Sequence, residues 1–346
     1  MNKPIFTREQ FTLCDVPAPK GYPQSQTHSG VAVHEGRVYL TTSPYPGKRY
    51  SLNVSRLRKL LRILSGGLLC KPMNGEAFEN PCLYVGQGGE DSIPTHFVSM
   101  TGKPLMDTPD ALYGFPAYNS DPDIYIEGGR FFIMNRIVYR AKVTKGHYDS
   151  ITDIYLIKGT EINSKFKLES INLIKEWEEP YVSPCLTKYG DKYVFTYLQS
   201  KSALDAKTFE GLFLQTGGSI DELSQNKCYR KVKVNADELL PWHMSLFCCE
   251  GKLYTIIACV KKGDKTHKKW QMLGEFDTEL AELTIYPTPL ADYNSYRGSA
   301  FVTEDGRFVL YETTVWEKIS GGKSLDGREV MMAQCNFSDL LSKMKM

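Results

Sequence analysis

Hydrophobic and polar positions along the chain form the same short pattern five times. Each copy has a polar signature, an apolar run, a turn that contains glycine, and a second run rich in β-branched and aromatic residues. Two such runs around a glycine turn predict a β-hairpin. Repeated all-β units are typical of a propeller, in which each unit is a blade beside a central channel. The signatures are His28-Ser29-Gly30, Ser120-Asp121-Pro122-Asp123, Ser183-Pro184, Trp242-His243-Met244-Ser245 and Tyr296-Arg297-Gly298.

Further β-rich runs complete four-stranded blades. We therefore predict an all-β fold, a five-bladed β-propeller that forms a single domain over residues 1–346. First strands should begin near Ser29, Asp121, Ser183, His243 and Arg297. Residues before His28 could supply an outer strand that closes the ring and removes free sheet edges. A sixth blade starting at Glu79 is the main alternative, but the distance to Asp121 is too short for four strands and their turns.

An insertion in the first blade, residues 47–79, carries the strongest helical pattern of the chain. Leu57, Leu60, Leu61 and Leu64 repeat at helical spacing, which predicts an amphipathic helix over 53–65. Lys48 to Gly75 contains seven Lys or Arg residues and no Asp or Glu. We predict a lid over the channel, with its leucines packed on the propeller. A membrane surface or an acidic partner is the alternative use of such a helix.

Composition narrows the possible functions. The net charge of +2 gives no overall field that would favour nucleic acid as a partner. No apolar stretch reaches the ~18 residues of a membrane span, and the N-terminal residues do not resemble a secretory signal. The nine cysteines lack CxxC spacing, so we predict buried free thiols and no metal site. Such thiols indicate a cytoplasmic protein, or a virion component released by lysis. We predict no cofactor.

The signatures should meet at one end of the channel, because each occupies the same place in its blade. This end would bring together carboxylates, aromatic rings, histidines and arginines. Sugar sites use these groups as stacking faces, bidentate hydrogen-bond donors and paired acids. The substrate-binding candidates are His28, Tyr45, Arg49, Asn80, Asp123, Arg136, Trp242, His243, Tyr296 and Arg297. Arg136 would suit an acidic sugar.

Several phrases resemble known glycoside hydrolases. Ser120-Asp121-Pro122-Asp123 resembles the Asp-Pro motif of the five-bladed propellers of glycoside hydrolase families 43 and 32 and the related family 130 phosphorylases. The order of six short motifs is also similar to an uncharacterised glycosidase-like propeller group of phage tails and bacterial surface-glycan proteins. These motifs are SPYP (43–46), ENP (79–81), NSDPD (119–123), SP (183–184), WH (242–243) and YR (296–297).

The resemblance implies a glycosidase-like propeller that acts on an oligo- or polysaccharide at one central pocket. Asp121 and Glu79 are the leading catalytic carboxylates, with Glu179 in reserve. The enzyme families carry an Asp at the first blade, where this chain has His28-Ser29. A non-catalytic glycan-binding propeller therefore stays open as the alternative. Asp121 and Asp123 could also be turn residues, Glu79 a loop-ordering ion pair, and His243 a residue packed on Trp242.

Overall fold

Glycine turns connect antiparallel strands at all five places that the pattern predicts. Glu35-Gly36, Gly128-Gly129 and Glu250-Gly251 have positive φ at both turn residues, as a two-residue hairpin turn requires. Gly190 and Gly306 have positive φ in the other two turns. The computed structural model describes residues 3–22, 24–45, 64, 79–88, 92–107, 117–144, 147–176, 180–201, 206–225, 228–264, 268–291, 295–320 and 323–345.

The described residues form twenty strands. In chain order they are β1 (Thr12–Leu13), β2 (Gln26–His34), β3 (Arg37–Pro44), β4 (Cys82–Gln87), β5 (His96–Ser99), β6 (Ala117–Glu127), β7 (Arg130–Thr144), β8 (His147–Ile162), β9 (Lys165–Lys175), β10 (Tyr181–Tyr189), β11 (Lys192–Ser200), β12 (Phe209–Gly217), β13 (Arg230–Val234), β14 (Leu239–Cys249), β15 (Lys252–Lys261), β16 (Lys269–Asp277), β17 (Glu282–Ile285), β18 (Ser295–Val302), β19 (Arg307–Ser320) and β20 (Lys323–Asn336).

The strands pair in groups of four. One sheet is β2-β3-β4-β5, the next is β6-β7-β8-β9, and the last is β18-β19-β20-β1. The groups β10–β13 and β14–β17 join through a parallel pairing of β13 with β17 into one eight-stranded sheet. The N-terminal strand β1 pairs with β20, so the beginning of the chain completes the sheet formed by its end.

The first strands of the five groups pack side by side in a closed cycle. β2 contacts β6, β6 contacts β10, β10 contacts β14, β14 contacts β18, and β18 returns to β2. Apolar side chains fill the space between neighbouring sheets, as where Tyr39 and Leu83 pack with Phe131 and Ile157. The fold is therefore all-β and propeller-like. We call the end of the ring with the polar signatures the signature end, and the end with the glycine turns the hairpin end.

The predicted strand starts are wrong by a few residues. Each first strand begins before its signature, and the signature lies inside the strand at a β-bulge. His28, Asp121 and Ser183 occupy equivalent bulges with φ of 58°, 54° and 52°. This left-handed backbone is uncommon for residues other than glycine. A bulge re-aims the side chains beside it, so the polar signatures mark the places where the strands turn side chains toward the channel.

The described helices lie outside the insertion for which a helix is predicted. The insertion 47–79 and its predicted helix lie outside the described residues, apart from Leu64 and Glu79. Two α-helices that the pattern did not indicate are described, α1 (Ile220–Gln225) and α2 (Phe337–Met344). Asn336 caps α2 by accepting a hydrogen bond from the Asp339 amide. Among the described residues, no helix has the length and apolar character needed to cross a membrane.

Eight of the cysteines are described, and all eight are free thiols. Cys14, Cys82, Cys185 and Cys259 are buried, and burial raises the pKa of the Cys82 thiol to about 12. Cys228 and Cys248 are exposed, so burial holds for only part of the set.

Candidate functional site

His28 bridges two carboxylates at the signature end. Its Nε2 atom lies 2.9 Å from Glu79 Oε2, and its Nδ1 atom lies 2.8 Å from Asp121 Oδ1. Ser120 Oγ donates to Glu79 Oε2 and also lies 3.2 Å from Asp121 Oδ1. The two predicted carboxylates are therefore neighbours, but an imidazole ring is held between them. We call His28, Glu79, Ser120, Asp121 and Arg136 the His28 cluster.

Asp121 is fully buried, and both of its carboxylate oxygens have partners. Arg136 Nε lies 2.8 Å from Oδ2, and the amide of Ser183 donates to the same oxygen at 2.9 Å. Arg136 also donates to the backbone carbonyl of Tyr181 at 2.8 Å. The cluster thus links the second sheet to the third. The sequence predicted that Arg136 would bind an acidic sugar, but its guanidinium pairs with Asp121 instead.

Aromatic rings surround the imidazole of His28. The ring centroids of His243 and Tyr296 each lie 5.1 Å from that of His28. His243 is fully buried and its ring also contacts Tyr296 and Trp242. Trp242 is buried in the apolar core with Met244. The contact between the Trp242 and His243 rings agrees with the alternative that His243 packs on Trp242. Tyr296 remains partly exposed.

Arg297 lies deeper in the channel than the sequence analysis predicted. Its side chain is fully buried, with Nη2 2.9 Å from Asp123 Oδ1 and Nη1 donating to the Pro122 carbonyl at 2.8 Å. This pair joins the fifth first strand to the second across the channel. In this arrangement Arg297 and Asp123 stabilise the ring and do not face a ligand.

A cation that sequence analysis missed lies beside Glu79. The guanidinium of Arg328, from β20, is sandwiched between Tyr45 and Tyr296, 3.7 Å and 3.9 Å from their ring centroids. Arg328 Nη1 donates to Thr27 Oγ1 at 2.9 Å, and Lys269 Nζ lies 4.8 Å from the Tyr296 ring centroid. The side chains of these two cations and two tyrosines are partly exposed: Arg328, Lys269, Tyr45 and Tyr296. No signature precedes Arg328 or Lys269, so the repeat pattern gave no signal for either.

Burial and charge separate the protonation states of the two histidines. Burial opposes charge on His28, but Asp121 and Glu79 outweigh it and raise the pKa of the imidazole. Burial holds the pKa of His243 well below its usual range, because Asp121 compensates it only in part. Protonation is thus favoured on His28 and disfavoured on His243.

Neighbouring positive charges outweigh burial at the two carboxylates and keep them ionised. Burial would raise the pKa of Glu79, but His28 and then Arg328 lower it below the ordinary value. Asp121 is also desolvated, yet Arg136 and His28 hold its pKa well below the usual range. The line Asp121–His28–Glu79 therefore holds a histidine with a raised pKa between two carboxyl groups with lowered pKa values, which favours its charged form. Glu79 is the member of this line with part of its side chain accessible, at 10%.

We expect His28→Asn to destabilise the protein more near pH 6 than near pH 9. A group whose pKa is raised by folding stabilises fully below its unfolded pKa of about 6.5, and that stability is lost as pH rises through the folded pKa. Urea unfolding of wild type and variant at both pH values measures the difference. The control is His34→Asn, because His34 lies half-buried at the hairpin end. A difference that stays constant or grows toward pH 9 would contradict a charged His28.

The other predicted residues have less to do with this cluster. Asn80 is buried and accepts a hydrogen bond from Asn119 Nδ2 at 2.9 Å. Arg49 and Glu179 lie outside the described residues.

A cleft of about 690 Å³ lies at the hairpin end, lined by Tyr189, Lys252 and Glu275 among others. It is remote from the signatures and has no buried titratable cluster like that of His28, so we place the candidate site at the signature end.

His28, Asp121 and His243 are the described residues that could hold a metal ion. Their potential ligand atoms lie within 4.8 Å of one another. Both Asp121 oxygens already face cationic groups or donors, from His28, Arg136 and the Ser183 amide. A cation here would have to displace those contacts, so the arrangement suits an internal ion-pair network better than a metal centre.

No protein-family model matches the chain, and no curated protein matches it either. Solved structures do. The xylan β-1,4-xylosidase of Bacillus halodurans superposes with a TM-score of 0.62 at 13% identity over 93% of this chain and 54% of that enzyme. A family 43 β-xylosidase/α-arabinofuranosidase from a compost metagenome, solved with xylotriose, gives 0.55 at 16% identity over 90% and 91%. The family 32 β-fructofuranosidase of Bombyx mori gives 0.50 at 13% identity over 94% and 61%.

The chain has the propeller fold of these glycoside hydrolases. It spans about half the length of the Bacillus xylosidase and most of the compost enzyme. At these identities the likeness concerns the fold, and the chemistry depends on the residues of this chain.

Proposed function

We propose that this chain is a glycoside hydrolase with five blades, formed by the five groups of four strands. Its substrate is an oligo- or polysaccharide bound at the signature end of the channel. The observation that carries the proposal is that the Glu79 carboxylate is kept ionised by His28, retains 10% exposure of its side chain and acts electrostatically on Tyr296. Glycosidase propellers provide the same fold, and sugar sites combine such carboxylates with aromatic faces.

Glu79 has the properties of a base or nucleophile. Glycosidic cleavage needs one acid that protonates the leaving oxygen and one carboxylate that activates water or attacks the sugar carbon. The lowered pKa of Glu79 suits the second role and not the first. Its hydrogen bond from Ser120 and its contact with His28 fix one carboxylate oxygen in place. For the acid we retain Glu179 as the sequence-based candidate.

Asp121 takes a different role from the one predicted. A fully buried carboxylate with both oxygens occupied cannot contact a substrate in this arrangement. We assign it as a positioning residue, which orients His28 and keeps it charged. His28 in turn stands where related enzymes carry an Asp, so the negative charge at the mouth would come from Glu79. Tyr45 and Tyr296 are the proposed aromatic lining of the site, and one face of each ring lies against Arg328.

Incubation of the purified protein with a panel of neutral and acidic oligosaccharides tests the proposal. Released reducing ends would be measured together with binding, detected by saturation-transfer NMR. We expect at least one glycan to be bound and cleaved. Binding without cleavage between about pH 4 and pH 9 would favour the glycan-binding propeller, for which His28 in place of an Asp is the supporting observation. Absence of both binding and cleavage would overturn both functions.

A further inference from the structure

Arg328 differs from the other two arginines of the signature end. Arg136 has Asp121 as its counter-ion, and Arg297 has Asp123. Among the residues that the structure describes, Arg328 forms no ion pair with a carboxylate, and its side chain hydrogen-bonds to the hydroxyl of Thr27 and to Tyr296. Glu79 acts on Arg328 electrostatically, but the contacts of its Oε2 atom are with Ser120 Oγ and His28 Nε2. A largely desolvated guanidinium without its own carboxylate is costly unless another anion balances it.

The surroundings of Arg328 add positive charge and shape. Tyr45 and Tyr296 clamp the two faces of the guanidinium, which leaves the edge with its N–H groups as the direction for further hydrogen bonds. Lys269 lies against the same Tyr296 ring. Burial and, to a smaller extent, the charge of Arg328 together lower the pKa of Lys269 to about 8. The two cations therefore act on the same region, next to the accessible part of Glu79.

We propose that the site takes a sugar that carries a carboxylate, of the uronic acid class, and that Arg328 binds this carboxylate. The planar fork of an arginine matches a carboxylate through two parallel hydrogen bonds. The clamp by two rings holds the fork in one orientation before the ligand arrives, which reduces the entropy lost on binding. Lys269 would add a second positive charge. This inference rests on the proposed function, since it names the substrate class of the same pocket.

The test compares each acidic glycan with its own neutral twin. The probes are oligogalacturonides, glucuronoxylan oligosaccharides and hyaluronan oligosaccharides, each used as prepared and after chemical reduction of its carboxyl groups to alcohols. Calorimetry gives the affinities. We expect wild type to bind at least one acidic form about 10- to 100-fold more tightly than its reduced twin, the range expected for a charge-assisted contact.

Variants show whether Arg328 is the cause. We expect Arg328→Gln to remove most of the preference, so that the acidic form and its reduced twin bind with similar affinities. Arg328→Lys keeps the charge and should retain part of the preference even if Arg328→Gln folds poorly. The control is Arg37→Gln, because Arg37 also lies against a tyrosine, Tyr39, but at the hairpin end.

Two outcomes separate the inference from the proposed function. Equal or tighter binding of the reduced twins by wild type would overturn the uronic acid assignment and leave glycan binding intact. An unchanged acidic preference in Arg328→Gln would overturn the role of Arg328. If no glycan of either form is bound or cleaved, the proposed function itself fails, and this inference fails with it.

Discussion

Glu79→Gln is expected to lower the turnover of a confirmed glycan substrate by about 10²- to 10⁴-fold, the usual effect of removing one proton-transfer group. The amide keeps the size of the side chain and can still accept from Ser120, so substrate affinity should change little. What it loses is the negative charge that the reaction uses. The measurement is kcat and the dissociation constant for the same substrate, in variant and wild type.

Glu127→Gln is the matched control for this loss. Like Glu79, Glu127 accepts hydrogen bonds from two side chains, in this case Lys188 and Tyr193. It lies beside the glycine turn at the hairpin end. Its replacement should leave turnover near the wild-type value. Full turnover by Glu79→Gln would rule out Glu79 as the catalytic carboxylate.

Asp121→Asn is expected to destabilise the fold by about 3–5 kcal/mol, because it removes the counter-ion of buried Arg136 and one of the two counter-ions of buried His28. His28 and Arg136 both lie 2.8 Å from this carboxylate, and the residue is fully buried. Urea unfolding measures the change. Asp191→Asn, at an exposed position in the β10–β11 turn, is the control and should change stability by less than about 0.5 kcal/mol.

A double-mutant cycle isolates the ion pair. Asp121→Asn combined with Arg136→Gln should cost less than the sum of the two single changes, because each removes the charge that the other leaves unpaired. One result for the single variant would instead support the catalytic role that the sequence predicted for Asp121. If Asp121→Asn unfolds like wild type but has lost turnover, the carboxylate acts in the reaction and not in positioning His28.

The sequence predicted the strands well because their signals are local. A glycine turn with positive φ, such as Glu250-Gly251, needs few neighbours to be identified. The signatures likewise marked the bulges, since Asp-Pro and Ser-Pro interrupt the ladder hydrogen bonds of a strand. The strand starts were wrong because a bulge inside a strand and the start of a strand share the same residue types.

The partners in the site could not be predicted because they depend on contacts between sheets. The burial of Asp121 depends on Arg136 from the next strand and on a backbone amide from the third sheet. Arg328 comes from β20, far along the chain from Tyr45 and outside every polar signature. A residue that continues the strand after a bulge can also turn inward, as Arg297 does toward Asp123. None of these contacts has a sequence spacing that a pattern could reveal.

A crystal structure of Glu79→Gln, soaked with the acidic oligosaccharide that binds most tightly, tests the central claim most directly. We expect a sugar at the signature end, with its carboxylate at about 2.7–2.9 Å from the Arg328 guanidinium and a glycosidic oxygen or anomeric carbon beside residue 79. A sugar bound in the cleft at the hairpin end, with the His28 cluster unchanged and no ligand against Arg328, would contradict it.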